Sequence, residues 1–484
     1  MRHPRGLKIL FFTELWERFS YYGMRGLLLL FMVNSVENGG FGMDAETGGA
    51  IYGLYTAMVY LLAFPGGWIA DRLIGQQKAV FMGGSIIAAG HFSMAIPMQE
   101  TFYLGLILIV IGTGLLKPNV SAIVGDLYPE GGAKRDAGFS IFYMGINIGA
   151  FAGPLICGYL GENISWHLGF SAAGVGMVFG LVQYKVGIKH LGEAGILKPK
   201  SPEEIVKDKI TLFKALGLLC ATFISMALLQ ISGIITLTLQ GVVQTTGFLI
   251  VSLAVVYFGF ILIFGKLQPR EKKRVIVIFL LFVGAALFWS GFEQAGSSFN
   301  LFAERLTNRV IAGWEMPASW LQSVPALFII VFAPVFAWLW VWLASREPSI
   351  PVKFGLGLIF LGAGFFVLAW GATYSSETGP GVSLMWLITT YLLHSFGELC
   401  LSPVGLSSVT KLSPKRLVGQ MMGVWFMGSA LGNLIAGLLA GQFETLPLPE
   451  LFGNVMMISA GAGFLFLIFN KPIQKLIGTL NQSD

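Results

Sequence analysis

Residues 14–25 read Glu14-Leu15-Trp16-Glu17-Arg18-Phe19-Ser20-Tyr21-Tyr22-Gly23-Met24-Arg25 and lie in an apolar segment, residues 10–34. A segment of this length can cross a bilayer, which takes roughly 20 residues. On a helix, Glu14, Glu17, Arg18, Tyr21 and Arg25 share one stripe, with Tyr22 at its edge. Charges at membrane depth are costly and usually face a polar interior. The stripe therefore predicts a functional surface inside a helical bundle. The alternative is a charged collar at the membrane surface, but Arg25 lies about 16 Å along the axis from Glu14.

The composition indicates a polytopic, all-α membrane protein. Of 484 residues, 55% are hydrophobic and 12% are charged, and the mean hydropathy is +0.74. Soluble proteins average about 25% charged residues. Fourteen spans of helical length are predicted at residues 10–34, 48–70, 78–97, 101–125, 138–161, 166–187, 212–239, 245–265, 275–299, 319–344, 354–374, 382–408, 416–441 and 451–470.

The distribution of basic residues supports this span count and orients the chain. With the N-terminus in the cytoplasm, only Arg305 and Arg309 fall in external segments, while Arg18, Arg25 and Lys117 fall within spans. All other Lys and Arg residues then lie in cytoplasmic segments, as the positive-inside rule requires. The predicted topology places both termini in the cytoplasm. The net charge of +6 follows from these loops and requires no nucleic-acid partner.

Spans seven and eight differ from the rest because they contain no Asp, Glu, Lys or Arg between Leu216 and Gly265. This pattern predicts two six-helix bundles with an inserted helix pair between them. The predicted divisions are residues 1–190 for the first bundle, 191–274 for the inserted pair with its cytoplasmic linkers, and 275–484 for the second bundle and a short cytoplasmic tail. Transporters built from two such halves place their substrate site between them. The external loop 300–318 is long enough for a short surface helix.

Further ionisable residues interrupt later spans. Lys117 precedes Pro118 in span four, Glu293 lies in span nine and Glu398 in span twelve. Glu14 and Glu17 are the obvious partners for Lys117, and a snorkelling lysine is the alternative. A carboxylate without a basic partner gains a raised pKa and can carry a proton. His394, on the same face as Glu398, is interpreted as hydrogen-bonded packing. Because the set offers both signs of charge, it suits a proton-coupled carrier of a zwitterion, with the ligand carboxylate on Arg25 or Lys117 and its amine on Glu398.

Three motifs resemble signatures of one family. Glu14-Leu-Trp-Glu17-Arg18-Phe-Ser-Tyr21-Tyr22-Gly23 resembles the E-x-x-E-R-F-x-Y-Y-G motif of the proton-dependent oligopeptide transporters, a branch of the major facilitator superfamily. Residues 142–151 resemble the F-Y-x-x-I-N-x-G motif of that family, and residues 395–405 resemble its third signature. The matches occur in both halves, and the extra helix pair resembles bacterial members. The resemblance implies proton-coupled symport of di- and tripeptides by alternating access in the bacterial inner membrane, by a monomer that uses the proton gradient and no cofactor.

The resemblance also implies roles for individual residues. It assigns proton coupling to Glu14, Glu17, Arg18, Lys117 and Glu293. It pairs Arg25 with Glu293 as a gating salt bridge. It implies that the peptide is bound by Arg25, Lys117, Glu398, Tyr21, Tyr22, Tyr60, Asn147, Trp289, Trp425 and Ser429. One departure concerns span ten, where Pro325 stands at a position at which the family often has Asn. A contact from such an Asn is therefore not expected here. A different helix angle or a contact from Gln322 could replace that contact.

Three other interpretations are considered. A carrier of nitrate or another small anion is possible on the same fold, although Glu398 adds an acidic wall that an anion does not need. An intramembrane enzyme is disfavoured because no H-E-x-x-H or G-x-S-x-G occurs and the five histidines form no cluster. A channel fits the charges less well, because opposite charges at one central level suit a closed binding site better than a uniformly charged pore.

Overall fold

The computed structural model describes residues 3–130 and 132–478. The first and last residues of the chain, which the sequence places in the cytoplasm, lie outside these ranges. The first group of helices carries the charged stripe. Its members are α1 (Arg5–Val33), α2 (Ala45–Leu61), α3 (Ala63–Ile69), α4 (Gln76–Met94), α5 (Gln99–Asp126), α6 (Gly132–Asn163) and α7 (Trp166–Gly187). Helix α3 continues α2 as one span that ends at Ile74.

The second group follows after two intervening helices. The intervening helices are α8 (Pro202–Ile231) and α9 (Leu239–Phe264). The second group contains α10 (Pro269–Phe292), α11 (Ser298–Leu306), α12 (Ser323–Leu343), α13 (Ile350–Thr378), α14 (Met385–Leu412), α15 (Val418–Gly441), α16 (Leu448–Ile468) and the short α17 (Asn470–Ile477). Strands β1 (Val310–Ile311) and β2 (Trp314–Glu315) form an antiparallel hairpin between α11 and α12.

The described helices form fourteen membrane-length spans, as the sequence predicts. Eleven are long and apolar enough to cross a membrane by composition alone. The other three, α1, α4 and α14, have 29, 19 and 28 residues and so are also long enough to cross. A criterion based on composition omits α1 because the charged stripe lowers its hydropathy. The charged side chains of the stripe are nevertheless buried inside the bundle.

Loop contacts place the two ends of α7 at opposite faces of the molecule. Trp166 Nε1 donates to the carbonyl of Asn38 at one face, and Tyr184 Oη donates to the carbonyl of Gln77 at the other. We call the face that carries the start of α1 the proximal face. The distal face carries the loops 34–44, 95–98, 164–165, 232–238, 307–317, 379–384 and 442–447.

Two predicted boundaries are wrong. Residues 232–238, assigned to span seven, form a loop, because the chain leaves α8 through Gly233, which has a left-handed φ of 73°. The external segment 300–318 does not form a separate surface helix. Its first part is α11, which prolongs span nine to Leu306, and the hairpin β1–β2 follows.

Small residues of α6 bring it against the face of α1 that adjoins the charged stripe. Gly145, Gly149 and Gly153 recur every four residues on α6, and α1 packs on that face. A Cβ atom on Gly149 would lie 2.3 Å from the Leu15 carbonyl oxygen, so a side chain there would force the helices apart. Close approach through small residues is the usual packing mode of membrane helices. At the far end of the stripe, Arg25 faces the second group, where it meets Glu293.

The two groups meet mainly at the distal half of the molecule. Helix α2 packs along α15, where a Cβ on Gly53 would lie 2.9 Å from the Gly437 Cα. Helix α6 packs against the start of α12. Helix α9 contacts α2, α10 and α15, whereas α8 exposes nearly all its residues and packs on the segment Ala70–Ile74 through Asp208.

Candidate transport site

Arg18 forms an ion-paired cluster with both acids of α1. Its Nε lies 3.3 Å from Oε1 of Glu14, and its guanidinium makes a bidentate pair with Glu17, with Nη2 2.5 Å from Oε1. The exposed fractions of the three residues are 4% or less. Opposite charges offset the cost of burial at this depth. The predicted grouping of these three side chains is therefore present, and it forms within one helix.

Lys117 stands beside this cluster without an ion-pair contact in the described ranges. Its ammonium lies 3.9 Å from the ring centroid of Tyr60, a cation–π distance. It still interacts electrostatically with Glu14 and Glu17. The structure thus brings the predicted partners into one region but leaves the Lys117 charge available to a ligand.

Arg25 and Glu293 join the two groups of helices. Arg25 Nη2 lies 2.5 Å from Glu293 Oε2, and the same nitrogen donates to the Glu293 backbone carbonyl at 3.2 Å. Arg25 Nε donates to Tyr52 Oη at 2.6 Å. The exposed fractions of Arg25 and Glu293 are 5% and 4%. The arrangement matches the pair expected for the gating salt bridge, and in this conformation it occupies the Arg25 charge.

A break in the tenth helix presents Glu293 to Arg25. Helix α10 ends at Phe292, a 3₁₀ turn covers Glu293–Gly296, and α11 begins at Ser298. At Gly296 an added Cβ would lie 2.1 Å from Tyr52 Oη and 2.9 Å from Arg25 Nε. The absent side chain therefore creates the space in which the Arg25–Tyr52 contact forms.

Glu398 lies on α14, in the second group, and is partly exposed. No hydrogen bond or ion pair reaches its carboxylate from the described residues, although it interacts electrostatically with Tyr22, Tyr143 and Glu293. One turn before it, His394 is buried and its Nε2 lies 3.1 Å from the Leu361 carbonyl. The interpretation of His394 as hydrogen-bonded packing is confirmed.

The predicted aromatic and polar lining residues divide into two sets. Tyr22, Tyr60 and Trp289 are partly exposed, whereas Tyr21, Asn147, Trp425 and Ser429 are nearly buried. The Arg18 guanidinium lies 4.9 Å from the Tyr21 ring centroid. Asn147 donates to the Tyr143 carbonyl at 3.0 Å. Trp425 packs within the second group against Phe354. Contact of these side chains with a peptide stays a prediction.

Sequence reasoning missed two residues that complete the distal contacts, Tyr52 and Asn300. Tyr52 binds Arg25, and its signal is a phenolic group within an apolar span. Asn300 Nδ2 donates to the Gly26 carbonyl at 2.7 Å, and Gln322 Nε2 reaches the same oxygen at 3.4 Å. Pro325 occupies the first turn of α12, where a missing N–H costs nothing. Gln322 thus contacts the backbone of α1, and its proposed replacement of the missing Asn in the binding site stays a prediction.

Comparison with known proteins defines the class of the chain. The POT family model (PTR2) matches residues 77–454. The chain is 41% identical to the peptide transporter YePEPT of Yersinia enterocolitica, covering 98% of this chain and 95% of that protein. It is 34% identical to a di-/tripeptide transporter of Lactococcus lactis, covering 98% and 97%. The chain therefore belongs to the POT family, the proton-dependent oligopeptide transporters that its motifs resemble.

Solved structures agree with this assignment. A crystal structure of the peptide transporter POT in complex with sulfate superposes with a TM-score of 0.90 at 42% identity and covers 98% of this chain and 96% of that one. A POT family transporter in complex with 5-aminolevulinic acid gives 0.90 at 34% identity, covering 98% and 97%. The chain is accordingly a transporter and not an enzyme, and it is a multi-pass inner-membrane protein.

Proposed function

We propose that this protein imports di- and tripeptides together with protons by alternating access. The observation that carries the proposal is a pair of charges that no described residue meets at ion-pair distance: Lys117 on the first group and Glu398 on the second. A peptide has a carboxylate and an amine at its two ends, so one ligand can neutralise both charges and join the two groups. The named relatives transport peptides or di- and tripeptides, which supports the same ligand class.

The same charges give a mechanism. Protonation of Glu293 from the outside would neutralise its carboxylate and release Arg25, because an ion pair requires both charges. The freed Arg25 and Lys117 would receive the peptide carboxylate, and Glu398 its amine. Closure around the peptide would be followed by release of protons toward the cytoplasm, which restores the Arg25–Glu293 and Arg18 ion pairs and lowers the affinity for peptide. The Glu14, Glu17 and Arg18 cluster would hold or pass the coupled proton.

The structure corresponds to one state of this cycle. Cross-group contacts, including Arg25–Glu293 and Asn300–Gly26, lie toward the distal face. We assign that face to the outside and the proximal face, with both termini, to the cytoplasm, in line with the basic loops. The state is then closed to the outside, with the Arg25–Glu293 contact formed. We retain the division into bundles 1–190 and 275–484 around an inserted pair, and propose that a monomer suffices.

Nitrate transport has no comparable support. The relatives named for a substrate transport peptides, and Glu398 supplies an acidic wall that suits an amine. The proton gradient, with no bound cofactor, would supply the energy.

Uptake of labelled dialanine into proteoliposomes tests the proposal. With acid outside, we expect accumulation above equilibrium, whereas the reversed gradient should not drive it. Excess unlabelled dipeptide should compete, and equal concentrations of nitrate should not. Uptake that is indifferent to the gradient, or that nitrate blocks, would contradict the proposal.

A further inference from the structure

Glu162 makes a second bridge between the two groups, on the distal side of the Arg25–Glu293 pair. It is the penultimate residue of α6. Its Oε2 accepts the backbone N–H of Ala318 at 2.7 Å, and its Oε1 accepts that of Ser319 at 2.9 Å. These two donors open the 3₁₀ turn Ala318–Gln322, which leads into α12. One carboxylate of the first group thus holds the start of a helix of the second.

The position of Glu162 is unfavourable for its own helix. An acidic side chain at the C-terminal end of α6 meets the negative end of the helix dipole. The helix that it contacts lacks a local cap, because Pro317 precedes the turn and has no side-chain acceptor. Helix starts leave several N–H groups without intrahelical partners. Glu162 therefore supplies across the interface the cap that the second group does not supply itself.

Further contacts extend this bridge along one face of α6. Trp320 Nε1 donates to the Leu155 carbonyl at 2.9 Å, and Ser323 Oγ donates to the Phe151 carbonyl at 2.7 Å. Between Leu155 and Glu162, Gly158 permits the approach of Ser319, since a Cβ there would lie 2.1 Å from Ser319 Oγ. The interface follows the residues Phe151, Leu155, Gly158 and Glu162, which share a helix face.

We infer that Glu162 is a positioning residue for transport: its carboxylate latches the distal ends of the two groups by capping Ala318 and Ser319. This inference rests on the proposed alternating access. In a cycle that opens the distal face, α6 and the start of α12 must separate, so these hydrogen bonds must break and re-form. The charged groups that interact with Glu162 there are Arg309, which is paired with Glu315 on the hairpin, and Glu304 on α11.

Two single variants weaken the latch in different ways, one at the acceptor and one by a competing local cap. Glu162→Gln replaces a two-oxygen acceptor by an amide whose NH₂ would oppose one backbone N–H. Pro317→Asn leaves Glu162 intact but introduces a local cap, since Asn is a preferred N-cap residue and Pro317 already has the extended backbone of that position. Glu37→Gln, on an exposed distal loop of the first group, is the matched control for loss of a carboxylate.

Distances between spin labels report the result. Labels are placed at Gln99→Cys and Thr378→Cys, exposed distal positions on the two groups, after the exposed Cys220 is replaced by Ser. Double electron–electron resonance in nanodiscs without peptide then gives the ratio of distal-open to distal-closed protein. We expect both single variants to raise this ratio. Glu162→Gln should raise it about tenfold, which is the effect expected from the loss of hydrogen bonds to a charged acceptor. The control should match the parent.

The double variant tests whether the two changes act on one contact. Its shift should not exceed that of the larger single variant, since neighbouring sites that share one interaction are not additive. If Glu162→Gln fails to fold, the distance distribution of Pro317→Asn alone tests the latch. An unchanged distance distribution in either folded single variant, or fully additive shifts, would overturn the latch. A wild-type protein that fails to accumulate dialanine would instead overturn the proposed function, whatever the distances show.

Discussion

The two cationic side chains assigned to the peptide carboxylate differ in what they contact. Arg25 is engaged by Glu293 at 2.5 Å and by Tyr52 at 2.6 Å, whereas Lys117 contacts the ring of Tyr60 and no carboxylate of the described residues at ion-pair distance. Arg25 lies at the junction of the groups, and Lys117 on the side nearer the proximal face. We propose that in this conformation Arg25 serves the gate and Lys117 is the cation that receives a ligand. We therefore expect the gate and the binding site to be separable by mutation.

The largest effect is expected from Glu293→Gln. The amide cannot ionise or neutralise Arg25, so proton-driven accumulation of dipeptide should be lost while exchange between equal peptide pools persists. Uptake and counterflow in proteoliposomes measure the two activities. Glu377→Gln, at the exposed end of α13, should retain both. Full accumulation by Glu293→Gln would remove Glu293 from the coupling mechanism.

Lys117→Gln should weaken dipeptide binding about tenfold or more, the loss expected for a charge-assisted hydrogen bond. The free Lys117 charge is proposed to receive the peptide carboxylate. Binding of labelled dipeptide to detergent-purified protein, with Lys411→Gln on the exposed end of α14 as control, gives the affinity. If Lys117→Gln bound dipeptide as tightly as wild type, Arg25 would have to accept the carboxylate alone.

Glu398→Gln should distinguish the two ends of the ligand. We expect about a tenfold loss of affinity for a dipeptide with a free amine, by the same estimate, and little change for its N-acetylated analogue. Competition assays with both ligands on the same preparation provide an internal control. Equal losses for the two ligands would assign Glu398 a structural role.

Tyr52→Phe should have the smallest effect. It removes one hydrogen bond to Arg25 but leaves the Arg25–Glu293 pair, so we expect about a threefold change in the maximal uptake rate, within the usual net worth of one hydrogen bond. Tyr374→Phe, on an exposed part of α13, is the control. A loss as severe as that of Glu293→Gln would mean that Tyr52 is essential to the gate.

Much of this molecule follows from local sequence. The length of the apolar segments and the placement of Lys and Arg determine fourteen spans, because lipid admits backbone only as helices or closed barrels. Helical periodicity alone places Glu14 four residues before Arg18, and their ion pair forms within one helix. The Arg25–Glu293 pair was anticipated only through the family resemblance, since 268 residues separate the two.

Tertiary structure decided the rest. The space at Gly296, the bond between Arg25 and Tyr52, and the capping of Ala318 by Glu162 join segments far apart in the chain. No periodicity relates such residues, because their contact depends on how two groups of helices are packed. The sequence by itself indicates that the charged stripe of α1 is a polar surface. Which of its charges are neutralised and which remain for a ligand depends on side chains that only the assembled bundle brings near.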